Sequence, residues 1–323
     1  MGNECNKEAC QEKFKTMIGG QALIEGIMMR GPEKQAIVVR AQDQKLVEKV
    51  ETLHPLKEKS AVFGWPLIRG VINFFDSMIN GVKALMYSAD FFPEEENGEN
   101  GEKSKFDLWL EEHVSEELLA KLVVPLGVVL GVAFSVGLFI LLPAVLMELL
   151  SGVLKSYMLR NILEGFLRIG IFLIYLIAVS RMRDMKRVFS YHGAEHKTIR
   201  CYEAKLPLTV ENVRGMTRFH PRCGTSFLFV VMVISILVFT VVRVTHPLLR
   251  VVCKLALLPL VVAISYEINR FVGRHDNAFT RFLTLPGLWF QNFTTNEPDD
   301  SMIEVAIRAL ELVMPEEKGK DEW

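Results

Sequence analysis

The sequence predicts a mainly α-helical, polytopic membrane protein with about four transmembrane helices and a small cytoplasmic N-terminal α+β region. Half of its 323 residues are hydrophobic and the mean hydropathy is +0.25, too apolar for a soluble chain of this size. The excess is concentrated in successive apolar runs between residues 122 and 265. A formal net charge of -1 lacks the basic surplus that neutralises phosphates, so nucleic acid is set aside as a partner and the lipid bilayer takes its place.

The first sixteen residues carry both charge signs and no apolar stretch, so no cleavable signal peptide is expected. Asn6 stands where a myristoylation motif places Ser or Thr, so no acyl anchor is expected at Gly2. Gly19 to Pro32, GGQALIEGIMMRGP, is glycine-rich but matches neither dinucleotide nor Walker spacing. A tight turn followed by a packed strand is expected there, with Glu25 and Arg30 as candidates to face one site. Ala36–Arg40 and Lys45–Val50 read as a hairpin. From Pro66 to Phe92, Leu67, Val71, Phe74, Met78, Val82 and Leu85 mark one helical face, lying in the membrane interface or packing on the spans. Residues 1–92 thus form a cytoplasmic N-terminal segment, and the acidic, Gly-containing stretch 93–105 a linker.

The membrane domain is expected over 106–270. A crossing helix needs about 20 mostly apolar residues, and four stretches approach this: Leu122–Leu150, Leu163–Ser180, Gly224–Val242 and Val251–Ile264. Glu164 and Arg168, four apart in the second, can pair or reach headgroups. Lys254 in the fourth is placed to snorkel. Gly127 and Gly131 permit close helix packing. The span centres hold almost no polar groups, which disfavours a transporter. Residues 181–223 carry ten Lys and Arg, against two each in 151–161 and 243–250. The positive-inside rule puts that loop in the cytoplasm. Four spans then place both termini on the same side, and in the C-terminal segment 271–323 Asp299, Asp300 and Ser301 offer an N-cap to an amphipathic helix carrying Ile303, Val305, Ala306, Leu310 and Val313.

Cys5, Cys10, Cys201, Cys223 and Cys253 are odd in number and form no C-x-x-C pair, so neither a disulfide framework nor a cysteine-only zinc site is expected. The chemistry concentrates in the basic loop. In YHGAEHK, residues 191–197, His192, Glu195 and His196 share one helical face if the second span continues as a helix, and Glu203 returns to the same stripe. H-x-x-E-H is the inverted zincin order, two imidazoles for zinc and a carboxylate as general base; a cationic interfacial helix uses the same residues with no metal. Where the loop re-enters the membrane, HPRCGT, residues 220–225, adds His220 and Cys223 as borderline-soft ligand types, or as a helix-start polar residue and a small buried hydrophobe. A thiolate nucleophile paired with a histidine is a third use of this pair.

GGQALIEGIMMRGP at 19–32, YHGAEHKTIRCYE at 191–203, HPRCGTSF at 220–227 and TTNEPDDSMIEVAIRAL at 294–310 resemble, in order along nearly the whole chain, the YqhQ family of bacterial membrane proteins. That resemblance implies a multi-pass protein of the inner (plasma) membrane and a metal-dependent enzyme. The expectation is one divalent ion, zinc by ligand type, with His192, His196, Glu203, His220 and Cys223 as candidate ligands and Glu195 activating water for hydrolysis of an unassigned substrate. The competing expectation is a non-enzymatic assembly or regulatory factor that engages a protein partner and uses the same His and Cys structurally, its metal closed off by four protein ligands.

Overall fold

The computed structural model describes residues 14–53, 61–92, 116–150, 156–241, 247–275, 277–317 and 319–322, with single positions 152, 154 and 244. The linker at 93–105, Cys5 and Cys10 lie outside the described residues. The chain divides into two compact units, one of Met1–Phe92, Ile174–Val238 and Leu257–Trp323, the other of Pro93–Leu173 and Phe239–Ala256. The chain is mainly helical, with a small N-terminal antiparallel sheet. Three helical stretches among the described residues are long and apolar enough to cross a membrane: Leu126–Leu149, Tyr157–Ser180 and Leu249–Arg274. Gly224–Thr240 is apolar but shorter.

In the first unit, β1 (Gly19–Leu23), β2 (Gly26–Arg30), β3 (Lys34–Arg40) and β4 (Leu46–Thr52) form an antiparallel meander in sequence order. Glu25, at φ 48°, closes the two-residue turn between β1 and β2. Both middle strands are buried on both faces, which is why GIMMR and KQAIVVR read as continuous apolar runs. Alternation sorts the faces. Ile27, Met29, Ala36 and Val38 share a core with Tyr191, Ala194 and Ile199 of α5 (Arg183–Glu203) and with Met302, Val305, Ala306 and Leu310 of α10 (Asp300–Glu311). Leu23, Met28, Ile37 and Val39 instead meet Ala84 and Tyr87 of α1 (Ile68–Ala89). Asp299 caps α10, accepting from the Met302 N–H at 3.0 Å.

α1 packs on its neighbours. Gly81 packs so closely on Gln21 that a Cβ would lie 2.3 Å from its Oε1, and Asn73 donates to the Tyr266 hydroxyl at 2.8 Å. The outer face leaves Phe75, Met78 and Ile79 exposed. Two expectations need correction. The helix bearing the histidines does not continue the preceding one: α4 (Tyr157–Ser180) ends, Met182 is extended, and α5 starts afresh at Arg183. Glu25 and Arg30 do not face one site, because Glu25 pairs with Arg187 and Arg30 with Asp76. A helix that was not foreseen, α9 (Ala278–Thr294), opens with a capping box between Asn277 and Thr280 and exposes Phe279, Phe282, Leu285 and Trp289.

The second unit corrects the picture of unpolar span centres. Glu164 of α4 is buried and accepts from Arg168 one turn on at 3.1 Å, from Arg250 of α8 (Pro247–Arg274) at 2.6 Å, and from Lys254. Lys254 is 1% exposed, so it is bonded inside and does not snorkel. Arg250 also donates to Asn161 at 2.6 Å. Arg168 reaches further. Between α2 (Glu116–Val136) and α3 (Leu142–Leu149) the helix widens into a π turn, Gly137–Leu141. Pro143 has no N–H for the carbonyl four residues back, that of Phe139, and Arg168 Nε donates to it at 2.7 Å. One carboxylate thus holds three buried cations across two helices.

Removing that carboxylate strands the cations in a low-dielectric interior. Glu164→Gln is expected to cost about 3–5 kcal/mol, the usual penalty for breaking a buried ion pair from one side. Thermal unfolding of detergent-purified protein measures it, and a wild-type midpoint would show that Glu164 does not clasp α4 to α8.

Candidate metal centre

One turn of α5 presents His192, Glu195 and His196 on the same face, as i, i+3 and i+4 require. Against them stands Cys223, whose carbonyl accepts the first helical bonds of α7 (Gly224–Thr240), from Ser226 N–H at 3.0 Å and Phe227 N–H at 3.4 Å. The ligand atoms of His192, His196 and Cys223 all lie within 4.8 Å of one another. His192 Nε2 is 3.2 Å from Cys223 Sγ, and the two imidazoles are 4.4 Å apart, centroid to centroid.

The main chain decides how those rings present themselves. His192 Nδ1 lies 2.8 Å from the Thr294 carbonyl, and His196 Nδ1 2.6 Å from the Arg218 carbonyl. A carbonyl only accepts, so each Nδ1 carries a proton, and in the neutral ring that tautomer leaves the lone pair on Nε2. A second hydrogen bond of this kind accompanies nearly every metal-ligating histidine. Gly193 makes it possible: a Cβ there would fall 2.0 Å from the Asn296 carbonyl, so only glycine lets the chain after α9 lie against α5.

The protonation states fit the same use. Burial pushes the His196 imidazole down to about 4. Burial would raise the Cys223 thiol, but His196 and the Thr225 hydroxyl and N–H outweigh it and hold the thiol below its ordinary value. Two imidazoles facing a thiol held below its ordinary value are a borderline-soft donor set. Tetrahedral zinc with bonds of about 2.0–2.3 Å spaces its ligand atoms about 3.5 Å apart, within small side-chain adjustments of this cluster.

Glu195 stands beside the donors. Its Oε1 accepts from the Gly20 N–H at 2.9 Å, while its buried Oε2 has no hydrogen-bond partner among the described residues. Burial raises its carboxyl to about 7, with the nearby Cys223 adding to the rise and His192 and the Gly20 N–H opposing it. Gly20 is needed for that contact, since a Cβ would sit 2.6 Å from the Met28 carbonyl and 3.1 Å from Glu195 Cδ. These groups line a cavity of about 380 Å³ walled by the main chain of 19–22 and by Thr225 and Leu228.

Two candidate ligands belong to a neighbouring group. Glu203 is paired with Arg222 and accepts from the Thr16 N–H at 3.0 Å. His220 Nε2 lies 3.5 Å from Glu203 Oε2, and its ring centroid is 5.5 Å from that of His196. Gln291 grips both the N–H and the C=O of His220, at 2.8 and 2.7 Å. Burial, with Arg222 and Arg200, holds the His220 imidazole well below its ordinary value. The cluster of donors is therefore His192, His196 and Cys223, with Glu203 and His220 forming the adjoining wall. The glycine-rich stretch 19–32 was singled out in the sequence and supplies Gly20, whereas Gln291 and the carbonyls of Arg218 and Thr294 were missed.

A helical chain with three helices long and apolar enough to cross a membrane, among the described residues, and a buried His-His-Cys cluster is the class that fold and geometry define. Residues 65–316 match the family described as "Protein of unknown function (DUF1385)". The chain is 33% identical over 306 residues, 93% of its own length and 92% of the relative's, to "Uncharacterized protein YqhQ" of Bacillus subtilis (strain 168). It belongs to this family. No solved structure matches it.

Gly193→Ala tests the role assigned to the carbonyls. Displacing 294–296 from α5 frees His192 Nδ1, and zinc affinity is expected to fall about 10–100-fold, as for other lost outer hydrogen bonds. Competition against a chromophoric chelator measures it, and unchanged affinity in a folded variant would separate ring orientation from binding.

Proposed function

We propose that this protein is a multi-pass membrane hydrolase of the inner (plasma) membrane, dependent on one divalent ion, zinc by donor type, held by His192, His196 and Cys223. The observation that carries the reading is the pair of imidazoles, each pinned at Nδ1 by a main-chain carbonyl and turned at Nε2 towards a buried thiol. Three donors beside a cavity are the pattern of a catalytic site, which keeps a coordination position open. Bound there, the ion would supply Lewis-acid polarisation of a substrate oxygen and of an attacking water. Glu195 takes the water's proton and returns it to the leaving group, a role suited to a carboxyl held at about 7 with a free oxygen. Gly20 keeps its other oxygen fixed during both transfers.

Four crossings support this placement. The sheet, α5 and α10 share one core and so lie on one side of the bilayer. An even number of crossings must then separate α1 from α5, and α5 from α10. The first pair is Leu126–Leu149 with Tyr157–Ser180; the second is α8 with α7, whose 17 residues are at the short end of what spans a membrane. The ten cations of 181–223 favour a cytoplasmic position for the shared core, and with it for both terminal segments.

Two measurements test this. Zinc analysis of detergent-purified protein is expected to give about one ion per chain, lost in His196→Ala and Cys223→Ala and kept in Glu195→Gln, which loses hydrolysis. Zinc-free wild-type protein, or equal zinc in the ligand variants, removes the reading. For topology, Ser190→Cys in a cysteine-free background is expected to resist an impermeant thiol reagent applied outside intact cells, and labelling from outside would reverse the orientation.

A further inference from the structure

The first unit contains a second cavity, of about 510 Å³, between α7, α8 and α9. Phe229, Val233 and Leu237 of α7, Ile264 and Phe271 of α8 and Phe279 of α9 line it, and its one charged neighbour, Glu267, is tied to Arg69. An extended peptide finds nothing here to satisfy its backbone, which an apolar environment requires. A hydrocarbon chain has no polar groups to satisfy, and the groove follows α7 for about 12 Å, from Phe229 to Leu237, against side chains that are apolar apart from Glu267.

The groove and the metal centre share α7. Cys223, Thr225 and Leu228 border the polar cavity, and Phe229 begins the apolar one on the next residue. From Cys223 to Leu237 the helix rises about 21 Å at about 1.5 Å per residue. Half a bilayer, headgroups included, is about 20–22 Å. The thiol thus stands at the headgroup boundary when the far end of the groove reaches the midplane. α9 joins the two at that level: Phe279 and Leu283 line the groove, Gln291 and the Thr294 carbonyl hold His220 and His192, and Phe282, Leu285 and Trp289 are exposed as an interfacial aromatic and aliphatic stripe.

We propose that the centre acts on a membrane lipid, whose acyl chain lies in the groove between α7, α8 and α9 while its polar end reaches the cavity at Cys223. This rests on the hydrolase reading and names its substrate class. Water adds across an ester or phosphoester bond of that lipid, its hydroxyl going to the acyl or phosphoryl centre and its proton, through Glu195, to the departing oxygen. Lining the groove with apolar side chains alone selects for chain, and leaves the choice of headgroup to the polar cavity.

The test uses the zinc-loaded full chain in nanodiscs containing phosphatidylethanolamine with a diazirine on one acyl chain. Photo-adducts are expected to concentrate on α7 and α9, and to fall about tenfold in Ile234→Trp and in Leu283→Trp, which fill the groove from two helices and keep zinc. His196→Ala is expected to lose zinc and keep the labelling. Labelling spread evenly over the apolar helices and indifferent to both tryptophans, or replaced by cross-links to a second copy of the chain, would overturn the proposal. Turnover separates it from the reading beneath it. Cleavage of polar-lipid vesicles that needs Glu195 and drops about tenfold with either tryptophan supports both. Glu195-dependent cleavage of a soluble ester that neither tryptophan alters overturns the lipid class alone, and absence of zinc overturns the centre.

Discussion

Each imidazole facing Cys223 is held by a main-chain carbonyl, and those two contacts decide whether the cluster is a donor set or merely three neighbouring side chains. A ring free to flip would present Nδ1–H or Nε2 at random. Here Thr294 and Arg218 leave one orientation, and both come from segments whose own positions are fixed by close packing. Gly287 lets α9 meet Ser226 at the head of α7, Gln291 grips the His220 backbone, and Gly193 lets residue 296 lie on α5. The centre is therefore a product of where α9 ends as much as of the motif on α5.

The scaffold beneath is a sheet whose two middle strands are buried on both faces. Strand alternation delivers Ile27, Met29, Ala36 and Val38 to the α5 and α10 side, and the same side of β1 offers the Gly20 N–H to Glu195. Packing and chemistry are thus joined through one strand. In the second unit a different device operates, with Glu164 gathering Arg168, Arg250 and Lys254 where an apolar environment gives an unpaired charge no refuge.

Elements with a strong period were legible in the sequence: the β3–β4 hairpin, α1, the capped α10 and the long apolar runs. The histidine face on α5 and the nearby ligand types of HPRC were legible from spacing. Glu203 was read as a ligand because a helical stripe specifies a direction and says nothing of the partner waiting there, which proves to be Arg222 from the same HPRC stretch. α9 was missed because Pro286 and Gly287 interrupt its pattern, although Pro286 sits inside the finished helix. Backbone carbonyls carry no residue-type signal at all, and while the i, i+4 spacing of Glu164 and Arg168 made their pair legible, nothing in the sequence ties Arg250 and Lys254 of α8 to the same carboxylate.

Because the carbonyl for His192 belongs to residue 294 and the thiol to residue 223, a ribosome exposes the histidine helix long before it can supply either companion. Domains otherwise tend to fold from the N-terminus as they emerge. Here the sheet and α5 can associate early, yet the three side chains and their carbonyl partners cannot come together until α7 and α9 have been made and packed. Assembly of the cluster is in this way tied to the C-terminal third of the chain, so a chain cut before residue 294 lacks the acceptor that orients His192.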